Sequence, residues 1–209
     1  MKHLLRQAAR RRAPRGFSMI EVLVSLMITG LLLTATLSAL DASFKSYQIC
    51  TESASTNVIA RTVMQRMSAL VRTGTDFGPY PDDVLDASAN PMDSTFMEFS
   101  MGPVAGGTRI VRLERRAAAT GAVAPFELWY VEQVVDGAGA ITTNEARPLL
   151  TGLTELNFNL EYDVGPRLKR ATIDLTVRPN DFQDASLKTE LHTDTIRLVS
   201  TVSPRKLDN

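Results

Sequence analysis

The sequence predicts an α+β protein. A long N-terminal helix, membrane-spanning in its first half and amphipathic in its second, packs on antiparallel β-sheet. Three observations predict this. An apolar run occupies Val22 to Leu40. No proline or glycine follows it until Gly74, so nothing stops the helix where the run ends. From Thr95 onward, short segments rich in β-branched and aromatic residues alternate in polarity, with turn signals between them.

The chain has 209 residues, room for one domain plus an extended segment. Its formal charge of zero hides a division. Residues 1–16 hold six basic residues (Lys2, Arg6, Arg10, Arg11, Arg12, Arg15) and no acid. Without them 17 basic residues face 23 acidic ones, a charge of −6. A mildly acidic remainder has no electrostatic footprint for nucleic acid. The arginines at 10–12, beside an apolar span, read instead as a cytoplasmic anchor that leaves the bulk of the chain to be exported.

Val22 to Leu40 is 19 residues, and counting from Phe17 gives 24. At helical rise, 24 residues cover about 36 Å, enough for the hydrocarbon core of a bilayer. Only Ser, Thr and Gly interrupt the run, and spanning helices tolerate all three. An ordinary secretory signal has a shorter core and a small-residue cleavage site after it. A plain signal anchor is the other simple reading, but it gives no reason for Glu21. A lone carboxylate in an apolar segment must find a partner or take up a proton.

Residues 41–73 continue the helix, with Thr73-Gly74 as the stop. Two apolar stripes lie on nearly opposite faces of the helical wheel. Phe44, Tyr47, Ala54 and Val58 form one, suited to neighbouring helices. Ile59, Val63, Met67 and Leu70 form the other, flanked by Ala60, Met64 and Val71, and are expected to dock on the protein's own sheet. A single curved core face is the alternative. Cys50 is the only cysteine, so no internal disulfide is possible, and a small buried hydrophobe is its expected role.

Residues 74–94 read as a loop-rich connector, broken by Gly78-Pro79-Tyr80-Pro81 and Asn90-Pro91. Residues 95–209 form the β-rich part. Thr95 to Met101 and Thr108 to Arg115 are short strands, and Phe126 to Val135 runs into the turn Asp136-Gly137, with a return strand from Ile141. After a leucine-rich turn over Pro148 to Leu156, two segments alternate strictly. Leu156, Phe158, Leu160 and Tyr162 share one face; so do Ala171, Ile173, Leu175 and Val177. Antiparallel neighbours with one buried face are expected. Thr193 to Val202 supplies the last strand.

The stretch Arg15-Gly16-Phe17-Ser18-Met19-Ile20-Glu21, ahead of its apolar run, resembles the signal of type IV prepilins and type II secretion pseudopilins. The resemblance implies a pilin-like fold and cleavage by prepilin peptidase between Gly16 and Phe17. It further implies N-methylation of Phe17 and retention of 17–40 as a membrane and filament-core helix. Glu21 then takes the place of the family's assembly glutamate, which pairs with the new α-amino group of a neighbouring subunit. The order of leucine-rich turn, alternating strand, short loop and Ala-Thr-Ile-Asp-Leu-Thr-Val resembles the C-terminal half of J-type minor pseudopilins, a pattern shared with W-type minor pilins of pili and DNA uptake. The implied partners are prepilin peptidase, other minor and major pseudopilins, the inner-membrane assembly platform and the lipid bilayer. The implied location is the bacterial inner membrane, N-terminus cytoplasmic and C-terminal domain periplasmic. The tip-most K-type subunit typically lacks the glutamate, so its presence implies a place beneath another subunit. Some pseudopilins bind calcium in oxygen-rich loops. Asp76, Asp82, Asp83, Asp86 and Asp93 lie in the connector, but without EF-hand spacing, and they read as solvated acids.

Nothing in the chain supports an enzyme. The two histidines, His3 and His192, stand apart, and there is no phosphate loop, Gly-x-Ser-x-Gly, His-Glu-x-x-His or Cys/His cluster. No catalytic residue, cofactor or metal is expected. A membrane-tethered hydrolase is the remote alternative.

Overall fold

A computed structural model describes residues 16–119, 124–165, 167–179 and 195–205. It contains one helix, α1 (Met19–Thr73), and eight strands: β1 (Thr75–Gly78), β2 (Met92–Ser94), β3 (Phe96–Val104), β4 (Gly107–Ala117), β5 (Phe126–Val135), β6 (Ile141–Asp163), β7 (Arg167–Val177) and β8 (Ile196–Val202). This is an α+β layout, a long helix with an antiparallel sheet. The chain forms two units, residues 1–47 and 48–209.

Within the first unit, α1 is apolar on every side over Val22 to Leu40. Leu23, Leu26, Leu31 and Leu33 are each more than half exposed. A helix greasy on every side belongs in lipid or among other helices. One long apolar N-terminal helix fits a single-pass membrane anchor.

In the second unit the rest of α1 packs on the sheet. Its buried residues are Ala60, Met64, Met67, Ser68 and Val71, at helical spacing on one face. Val63 and Leu70 are partly buried beside them. Ile59 is 49% exposed and lies outside that face. The docking surface is thus centred on Ala60, Met64, Met67 and Val71, rotated from the Ile59 stripe, because residues four and seven apart from Ala60 and Met64 share a line on the helix. The helix closes with Gly74 N–H donating to the Leu70 carbonyl at 2.9 Å. A Cβ on Gly74 would stand 2.6 Å from the ring of Phe99, so only glycine lets the chain turn onto the core here.

The sheet runs β1-β3-β4-β5-β6-β7-β8, with each neighbouring pair antiparallel. Residues 158–160 of β6 pair with both β7 and β2. Leu156, Phe158 and Leu160 stand opposite Leu175, Ile173 and Ala171, all fully buried. The leucine-rich turn expected over Pro148 to Leu156 is strand instead: β6 is continuous for 23 residues. Pro148 is accommodated where the pairing with β5 slips by one residue, and Gly152 has φ +81°. A bulge is the place where a sheet tolerates proline and a positive-φ glycine. β1 and β2 both lie in the stretch expected to be connector. The expected last strand begins at Ile196, and Thr193 and Asp194 lie outside the described residues.

One more clamp fixes the loop between β1 and β2. Asn90 Nδ2 donates to the carbonyls of Val84 and Tyr162, and Tyr162 N–H donates back to Asn90 Oδ1 at 2.9 Å. The Tyr162 hydroxyl donates to the Pro79 carbonyl at 2.8 Å. The asparagine amide thus pairs with β6 as a neighbouring strand would.

Candidate functional site

The site the sequence points to is the start of α1. Gly16 and Phe17 are outside the helix and exposed, and Ser18 is its N-cap. The Ser18 carbonyl accepts from Glu21 N–H at 3.0 Å and Val22 N–H at 3.2 Å, the first bonds of the helix. Ser18 Oγ accepts from Ile20 N–H at 3.4 Å. In return, Ser18 N–H donates to Glu21 Oε2 at 2.8 Å. This is a variant of the capping box: the Glu21 carboxylate satisfies the N–H of the cap residue, while the cap's hydroxyl takes the N–H of the second helical residue, Ile20, where the usual box takes that of the third. Its signature, Ser18-x-x-Glu21 directly before an apolar run, stands in the sequence, and Ser18 is the residue that reading for charge and cleavage alone passes over.

Glu21 also sits in the first turn of α1, the positive end of the helix dipole. Its carboxylate therefore has a partner within its own chain. Gly16 and Phe17 have open surroundings: nothing lies within 4 Å of a Cβ built on Gly16, and Phe17 is 84% exposed. The geometry leaves the Gly16–Phe17 peptide accessible, directly ahead of a fixed helix start.

Further along α1, Phe44, Tyr47 and Val58 are well exposed, as a face for other helices would be in a single chain. Cys50 is exposed too, not a buried hydrophobe. It lies before the buried face of α1, whose first fully buried residue is Ala60. In the connector, Asp83 Oδ1 accepts from Leu85 N–H, and Asp86 Oδ1 from Ser88 N–H and Ser88 Oγ. The two Ser88 bonds hold the Asp86 carboxyl below the usual carboxylate range. These acids are turned onto their own loop. Among the described residues no three or more His, Cys, Asp or Glu side chains come together as a metal site. Residues 1–15 of the leader, with His3, and His192 lie outside the described residues.

No curated protein and no solved structure matches the chain. The description of the prokaryotic N-terminal methylation motif matches residues 11–37, which contain Gly16, Phe17, Ser18 and Glu21. That motif is a substrate signal for prepilin peptidase and suggests a structural role, not an enzymatic one. With the long helix and antiparallel sheet, the match indicates a type IV pilin-like protein.

Proposed function

We propose that the chain is a minor pseudopilin of the J-type, a structural subunit at the initiating tip of a type II secretion pseudopilus. The observation that carries the filament reading is the methylation-motif match over a helix whose apolar surface is exposed and holds one carboxylate. In this reading prepilin peptidase cuts after Gly16 and methylates Phe17. The C-terminal domain faces the periplasm. The helix waits in the inner membrane and then exchanges lipid for the helices of other pseudopilins. A separate cytoplasmic ATPase supplies the work through the assembly platform. What supports the J-type assignment is the sequence resemblance carried by Pro148 to Tyr162 and Ala171 to Val177.

Glu21 has a role that follows from the cost of charge in lipid. The freshly exposed amine of another subunit neutralises the carboxylate and fixes the stagger between the two helices. Glu21→Ala and Glu21→Val are expected to insert and to be cleaved to completion, yet to be lost from filaments, read by crosslinking to other subunits. Normal incorporation would remove the assembly role. N-terminal sequencing with and without the peptidase tests the wider reading. A mature protein starting at Phe17 only when the enzyme is present supports it; one starting at Met1, or beyond Leu40, overturns it.

A further inference from the structure

The capping box does more than stabilise the first turn, because of which groups it occupies. Were the helix to run one turn further back, Ile20 N–H would donate to the carbonyl of Gly16, four residues before it. That carbonyl belongs to the peptide bond that the processing reading has cut. Here Ile20 N–H turns to Ser18 Oγ instead, and Ser18 N–H, two residues nearer the N-terminus, is taken by Glu21 Oε2. Glu21 N–H goes to the Ser18 carbonyl, leaving that of Phe17. The donors that would draw Gly16 and Phe17 into the helix are therefore engaged.

In an apolar environment this competition is sharp. An amide N–H without a partner is costly there, so an uncapped helix gains by winding backward onto the nearest carbonyl. Gly16 is itself a tolerable cap, which makes it the next stopping point. A Gly16–Phe17 bond wound into the first turn has its carbonyl engaged and its flanks folded. Hydrolytic attack needs that carbonyl free to accept charge as the tetrahedral intermediate forms.

We infer that Ser18 is a positioning residue for processing: its hydroxyl claims Ile20 N–H, stops α1 two residues after the cut site, and holds the Gly16 carbonyl free for the peptidase. The inference rests on the processing reading above. The test uses the full-length precursor in membrane vesicles with purified prepilin peptidase, following initial rates over a range of precursor concentrations. Ser18→Ala is expected to lower kcat/KM about fivefold, the fold-change that a typical lost N-cap represents. Cleavage should still fall after Gly16. Ser18→Thr, which keeps the hydroxyl, is expected to restore the rate to within about twofold. Hydrogen exchange at Ile20 provides a second readout: its amide should stay protected in Ser18→Ala, now bonded to Gly16. Equal rates for wild type and Ser18→Ala overturn the inference. So does a Ser18→Thr variant as slow as Ser18→Ala, which would mean that the enzyme reads serine itself. Failure of the wild type to be cut at Gly16 sinks the processing reading instead, a distinct result.

Discussion

Glu21 has two carboxylate oxygens, and only Oε2 is engaged by the capping bond from Ser18 N–H. This separates two properties that Glu21→Ala removes together. Glu21→Gln keeps a carbonyl oxygen able to accept the Ser18 bond but has no charge to offer an amine. If pairing with a neighbour's ammonium drives assembly, Glu21→Gln should be crosslinked into filaments as poorly as Glu21→Ala, although its helix start is intact. Incorporation of Glu21→Gln at the wild-type level would make capping the function and end the pairing account. The residue scale is also where the sequence was most legible and most misleading. Gly16, Phe17 and Glu21 stand out because a charge before an apolar run violates ordinary patterning. Ile59 and Cys50 do not reveal their exposure, since a helical wheel gives relative angles but not the direction in which the sheet lies.

The Asn90–Tyr162 clamp ties a loop of little regular structure to the longest strand, and its behaviour with pH follows from burial. Tyr162 is 3% exposed, and desolvation, with Tyr80 and Glu98 nearby, pushes its hydroxyl well above the ordinary value of 10.0. The folded protein thus keeps this proton to a higher pH than the unfolded chain does. Its contribution is full below about pH 10, and stability falls as pH rises from there, by up to about 1.4 kcal/mol per unit. Tyr162→Phe has no such proton to hold. It should be less stable at neutral pH by about 1 kcal/mol, having lost the bond to the Pro79 carbonyl, yet lose stability less steeply above pH 10. Urea unfolding at pH 7 and from 9.5 to 11 measures both; parallel curves for the two proteins would refute the assignment. Neither partner of the clamp could be paired from sequence, because 72 positions separate them. The alternation that placed Tyr162 on a buried face was legible; the continuity of β6 was not. Pro148 and Gly152 are turn signals in isolation, and only the slipped pairing with β5 makes them compatible with a strand.

At the scale of the molecule, one helix serves two units, and the division gives a sharp expectation for truncation. The core is built from Ala60, Met64, Met67 and Val71 on α1 together with the sheet, and among the described residues none of its buried members precedes Ala60. The exposed apolar surface lies largely in residues 17–40. A fragment beginning at Gln48 keeps every buried residue of α1 and sheds the membrane-like segment. It should be soluble without detergent and unfold cooperatively, with near-ultraviolet dichroism from Trp129 lost in the same transition as far-ultraviolet signal. A fragment beginning at Thr75 keeps all eight strands but uncovers the face that α1 protects, with Phe99, Leu113 and Phe158 in the same core. Removing four buried helix side chains costs on the order of 10 kcal/mol, comparable with the whole stability of a typical domain, about 5–15 kcal/mol. That fragment should aggregate or bind a hydrophobic dye, and adding the peptide 48–73 in trans should reduce the dye signal. A soluble, cooperative Thr75 fragment would mean that the sheet is stable alone and that α1 is a passenger on it. The Gln48 fragment failing to fold would mean that residues before 48 are needed by the second unit, against the division of the chain into two.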